Sequence, residues 1–143
     1  MSDIRKILTR FGEVEYDPSL TIRFPEGLLG FGALHDYIVM PQLKKGPLFW
    51  IQSAEDSAVA FVLTDPTSFF PDFQVRPDRR ELEALGIDQG DEWCLLAVVT
   101  VNGPEDVTLN LQAPILFAPG TNRAIQVVLD NSPYGLNTPL PKA

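Results

Sequence analysis

The chain has 143 residues, 45% of them hydrophobic and 21% charged, with 11 basic against 19 acidic residues and a formal net charge of −8. That length suits one domain with its own core, and the composition excludes a disordered chain or one built around membrane spans. The negative field repels a phosphate backbone, so direct nucleic-acid binding is disfavoured; a basic protein partner is compatible with it, and solubility alone accounts for the same charge. Met1 to Arg10 mixes Asp3, Arg5 and Lys6 with apolar residues and lacks the apolar stretch of a secretory signal. No run approaches the ~20 apolar residues of a spanning helix, so the expected location is cytoplasmic, with no membrane association.

In chain order, Val14 and Tyr16 alternate with Glu13 and Glu15, and Leu20, Ile22 and Phe24 alternate with Thr21 and Arg23. Asp17-Pro18-Ser19 between them predicts a hairpin joining the two as strands. The following "FPEGLLGFGALHDY" carries Gly27, Gly30 and Gly32 as G-x-x-G-x-G, the reverse of the dinucleotide fingerprint. Neither a Lys-Ser pair nor a long helix follows, so the stretch reads as a backbone corner and not as a phosphate loop. Strands are expected at Tyr37 to Met40, Leu48 to Ser53 and Val59 to Thr64. "DPTSFFPDF" then places Phe69, Phe70 and Phe73 between Pro66 and Pro71 and just beyond, where no long regular element fits. Some of these rings must anchor the loop, and the others are free to form a docking surface.

The one helix is expected in "PDRRELEALG", with Pro77 in its first turn, Leu82 and Leu85 on one face and Gly86 as the stop. Trp93 to Val101 is the next strand, turning at Asn102-Gly103 into the alternating run Val107 to Ala113. A second turn in Ala118 to Arg123 precedes a last strand at Ile125 to Leu129. Residues 1–130 thus form the β domain, and 131–143 a loosely held proline-rich tail. The fold expected is mostly β: a small antiparallel β-barrel-like single domain with one short helix.

Chemistry has little to build on. His35 is the only histidine, beside Asp36 in a polar loop, and Cys94 the only cysteine, in the apolar run "WCLLAVV", where a thiol is usually a small buried hydrophobe. One histidine and one distant cysteine are poor material for zinc. Glu55-Asp56 and Glu105-Asp106 lack calcium-loop spacing and read as solvated turns. No catalytic residue, metal or cofactor is expected. The rival class is a small β-barrel hydrolase or ligand-binding enzyme using scattered carboxylates, and a second rival is a direct RNA-binding barrel.

Taken together, "FGEVEYDPSLTIRFPEGLLGF", "PLFWIQSAED", "DPTSFFPDF" and "VTLNLQAPILF", in this order from Phe11 to about Leu129, resemble the FliW family of flagellar assembly factors. The resemblance implies a non-enzymatic cytoplasmic protein with two alternative partners, flagellin and the RNA-binding translational regulator CsrA. Onto that expectation we place this chain's own candidates. Glu13, Glu15 and Asp17 supply acidic charge toward CsrA, and Phe69, Phe70 and Phe73 supply apolar surface toward flagellin. The chain departs from the family pattern at Leu29, where proline is frequent, at Gly32, where an acid is frequent, and at Ala118, where asparagine is frequent. The first departure removes a φ restraint from the corner and the second removes a charge.

Overall fold

A computed structural model describes residues 4–9, 12–45, 47–103, 106–130 and 133–141. The strands are β1 (Arg5–Thr9), β2 (Gly12–Tyr16), β3 (Ile22–Arg23), β4 (Asp36–Lys45), β5 (Leu48–Ser53) and β6 (Ala60–Thr64), then β7 (Cys94–Gly103), β8 (Asp106–Leu109), β9 (Ile115–Ala118), β10 (Arg123–Gln126) and β11 (Thr138–Pro139). The helix α1 (Arg79–Leu85) lies between β6 and β7, and short 3-10 turns occupy Pro18–Leu20 and Pro66–Ser68.

Ring closure explains why so short a chain can hide its sheet edges. The strands β7, β6, β5, β4, β3, β10 and β9 neighbour one another in that order, and β9 pairs back onto β7. The long β7 makes this possible by splitting one edge: Cys94, Leu95 and Leu96 face β9, while Val99 to Gly103 face β8. β11 then pairs onto the outer side of β8. Every pairing is antiparallel except β3 with β10, which meet in parallel through Arg23 and Arg123. Inside the ring Ile22, Phe24, Tyr37, Ile51, Leu63 and Ile115 make one buried cluster contributed by strands from all sides. The Tyr37 hydroxyl is buried without a hydrogen-bond partner among the described residues. That burial, with Glu55 nearby, pushes its pKa up to about 12.

Several expectations are corrected. β2 does not pair with the strand after "DPS"; its partner is β1, with Ile7 opposite Val14 and Thr9 opposite Gly12. The reason is local: the Asp17 carboxylate accepts the Ser19 N–H at 2.9 Å and starts a 3-10 turn, which carries the chain away to β3 instead of folding it back. The alternating run from Val107 ends as a strand at Leu109, because the Asn110 side chain accepts the Ala113 N–H at 3.0 Å and bends the chain. Asn102 and Gly103 lie in β7, where the register shifts. The centre of that turn, 104–105, falls outside the described residues, as does Glu105 of the expected carboxylate pair. The last full strand begins at Arg123, earlier than expected.

The helix is placed as expected, with one change of detail. Pro77 lies outside it, and Asp78 is the N-cap, forming a reciprocal capping box with Glu81. Gly86 closes the helix with φ 73°. The proline-rich tail is also not loose where it is described. Thr138 and Pro139 pair with β8, and Tyr134 and Leu140 pack on the apolar cluster of Phe73, Leu109 and Leu111. That cluster would otherwise face water, so its burial holds the segment.

Candidate protein-docking surfaces

The hairpin β1–β2 stands outside the ring as a two-stranded sheet. Its inner face places Ile7, Val14 and Tyr16 against Ile38, Met40 and Trp50. Period-2 alternation then sends Lys6, Leu8, Glu13 and Glu15 outward. Lys6 Nζ lies 3.7 Å from a carboxylate oxygen of both Glu13 and Glu15. Such exposed pairs contribute little, of order 1 kcal/mol at most, so they orient the face more than they hold the fold. Leu8 is 71% exposed on the same side. Asp17 is differently engaged, since its Oδ1 accepts both the Ser19 N–H and the Ser19 hydroxyl, the latter at 2.7 Å. Those bonds, hydroxyl first, lower its pKa. The structure therefore brings Glu13 and Glu15 together and gives Asp17 a capping task.

The aromatic loop is anchored from both ends. Asp65 caps its 3-10 turn, accepting the Thr67 N–H at 2.9 Å, and the Phe70 N–H donates to the Pro66 carbonyl at 2.8 Å. Phe73 is buried at 6% exposure beside Ala97, Leu109 and Leu111. Phe69 and Phe70 are half-buried against the same cluster. Tyr134 completes the packing, its ring 5.3 Å from Phe70 and 5.7 Å from Phe73, edge to face in both cases. Only Phe69 and Phe70 therefore offer part of a ring to a partner. Nothing in the run "SPYGLNTP" pointed to Tyr134, because its place depends on β8 lying next to β11.

Beyond Phe73 the chain runs without regular structure to α1, and three clefts share it. One of about 800 Å³ lies between this segment and α1, floored by Val75, Leu82, Ile87 and Trp93. A second, of about 480 Å³, adjoins Asp65, Cys94 and Leu95. Cys94 is exposed here, contrary to its expected burial, since it begins β7 at the cleft and not within the core. The sulfur's partial burial, then the carboxylates of Glu92 and Asp65, hold its thiol above the ordinary value.

The glycine corner is built as a backbone fold. Gly27 and Gly30 have φ of 70° and 84°. Leu28 is buried, and the Phe31 and Phe61 rings meet edge to face with centroids 5.2 Å apart. Glu55 ties the far side down: its Oε1 accepts the backbone N–H groups of His35 at 2.7 Å and Asp36 at 2.8 Å. Those two bonds lower the Glu55 pKa. Leu29 donates its N–H to Gln126 Oε1 at 2.8 Å. A proline has no such donor, so proline at this position would exchange the hydrogen bond to β10 for a φ restraint.

Among the described residues no helix is long and apolar enough to cross a membrane. A sequence model of the FliW protein family matches residues 6–140. A flagellar assembly factor FliW of Syntrophotalea carbinolica is 61% identical over 137 residues, covering 96% of this chain and 98% of that protein. A flagellar assembly factor FliW 2 of Desulfotalea psychrophila is 53% identical, covering 94% and 89%. A crystal structure of the flagellar assembly factor FliW superposes with a TM-score of 0.86 at 32% identity, covering 96% of this chain and 98% of that one.

Proposed function

The chain belongs to the FliW family of flagellar assembly factors, and on that premise we propose that it works in the cytoplasm as a non-catalytic docking protein with two alternative partners. One is flagellin, which it holds available for export. The other is CsrA, whose repression of flagellin translation it relieves. Flagellin that accumulates occupies the protein and leaves CsrA free to repress; flagellin that is exported frees the protein to take up CsrA.

The observation that supports the CsrA arm is the outward pair Glu13 and Glu15 on a chain of net charge −8. A regulator that binds RNA carries basic surface, so an acidic face steers its encounter. Phe69 and Phe70, half-buried at the aromatic loop, are the apolar surface proposed for flagellin, with Phe73 behind them as their support. Reversing Glu13 and Glu15 to lysine is expected to slow CsrA association by on the order of tenfold at low ionic strength and much less at high salt. Stopped-flow association rates across a salt series check this. A rate unchanged at every salt concentration removes the hairpin from the contact surface. The fold itself should stand, because the lost ion pairs are exposed.

A further inference from the structure

Between the aromatic loop and α1, Gln74 to Arg76 form a short strap bracketed by Pro71 and Pro77. Its exposure alternates as in a strand: Gln74 and Arg76 face water, while Val75 packs against two separate clusters, those of Phe73 and of Leu85. Yet it has no strand partner. Among the described residues, the backbone N–H and C=O groups of Gln74, Val75 and Arg76 make no hydrogen bond within the chain.

We propose that the Gln74–Arg76 strap is a β-addition site that accepts one extended segment of a basic partner protein as a neighbouring strand. Its polar backbone groups bond to water in the free protein, and an incoming strand replaces those bonds with a ladder. Val75 already fixes the strap at its centre, so the ordering cost falls mainly on the incoming segment. Room exists beside it in the clefts of about 800 Å³ and about 480 Å³. Charge selects the occupant. Around these clefts Asp65, Asp88 and Asp91 outnumber Arg76 and Arg79, and Arg79 already lies 3.4 Å from Glu83. A segment alternating lysine or arginine with small apolar residues therefore fits, and an acidic one is repelled. This inference does not depend on which proteins are the partners proposed above.

The test uses the full chain and the synthetic peptide Lys-Val-Lys-Val-Lys-Val-Lys, with Glu-Val-Glu-Val-Glu-Val-Glu as its counterpart. Amide hydrogen exchange is followed by NMR as each is added. In a strand, adjacent residues direct their N–H groups to opposite edges. The basic peptide is therefore expected to slow exchange about tenfold or more either at Val75 alone or at Gln74 and Arg76 together, with the acidic peptide binding at least about tenfold more weakly. Proline at the protected position should remove both the protection and the binding. For Gln74→Pro, whose side chain is exposed, the melting temperature should not move; for Val75→Pro it falls with the lost packing, and Val75→Ala, which keeps the N–H, should lose stability as well yet still bind and protect. Binding without protection at these amides, equal binding of the acidic peptide, or no binding at about 1 mM overturns the proposal.

Discussion

Replacing Gly27 by alanine is expected to destabilise the protein by roughly 2–5 kcal/mol, the sum of a backbone and a steric cost. At φ 70° the backbone is left-handed, which an L side chain adopts at about 1–2 kcal/mol. The steric cost comes from what the new methyl meets: a Cβ there would lie 2.6 Å from Gly32 Cα and 2.7 Å from the Phe31 carbonyl oxygen. Both are backbone atoms, so neither can rotate away, and the corner must open. Gly30 is the internal control. Its φ is 84°, but a Cβ there meets nothing within 4 Å, so Gly30→Ala carries the backbone cost alone. Parallel chemical denaturation of the two variants checks the claim; equal losses would show that the close approach of Gly27 to Gly32 is absent in solution.

The second large effect is Phe73→Ala, expected to cost about 3–5 kcal/mol through lost transfer energy and the cavity left behind. The ring is 6% exposed and is shared between the cluster of Leu109 and Leu111 and the edge of Tyr134. Its removal therefore also loosens the segment that carries β11. Phe70→Ala removes a half-buried ring and should cost distinctly less. Urea denaturation midpoints separate the two, and amide exchange at Thr138 in the Phe73 variant should rise as the β8–β11 pairing weakens. A Phe73 variant as stable as the parent would mean that this ring does not belong to the core.

These two residues also show how far the sequence carried. The Gly27 corner was readable because glycine spacing without a following helix leaves only a turn. The helix at Arg79–Leu85 was readable from its apolar face and its Gly86 stop, whereas its Asp78 cap was not, Pro77 having taken the place of a first-turn residue. Strands with a clear polar face or clear turn boundaries, such as β5 and β6, were also found. β9 was not, because it is buried on both faces: Ile115, Leu116 and Ala118 are each fully covered, which erases the alternation that marks a half-exposed strand. β1 escaped notice because Arg5 and Lys6 precede Ile7 and Leu8 without a regular period. Ring closure rests on β3 beside β10 and β7 beside β9, contacts between residues far apart in the chain that no local pattern encodes.

The same division holds for the docking surfaces. Glu13 and Glu15 were placed on one face by strand parity alone, and the structure adds Lys6 between them. Asp17 bonds Ser19 because an Asp-Pro-Ser sequence can cap a 3-10 turn as readily as it can turn a hairpin. In the aromatic loop, composition alone gave no order among three phenylalanines. Packing against β8 and Tyr134 buries Phe73 and leaves Phe69 and Phe70 half-exposed. The strap beside them carries no sequence signal except its two flanking prolines.

A protein that docks two alternative partners must bind each of them on its own. Calorimetric titration of the purified protein with CsrA from the same organism, and separately with a C-terminal fragment of its flagellin, tests this most directly. Saturable binding to each, with CsrA binding reduced once flagellin is present, is the predicted result. The absence of heat with both partners at micromolar concentrations would contradict it.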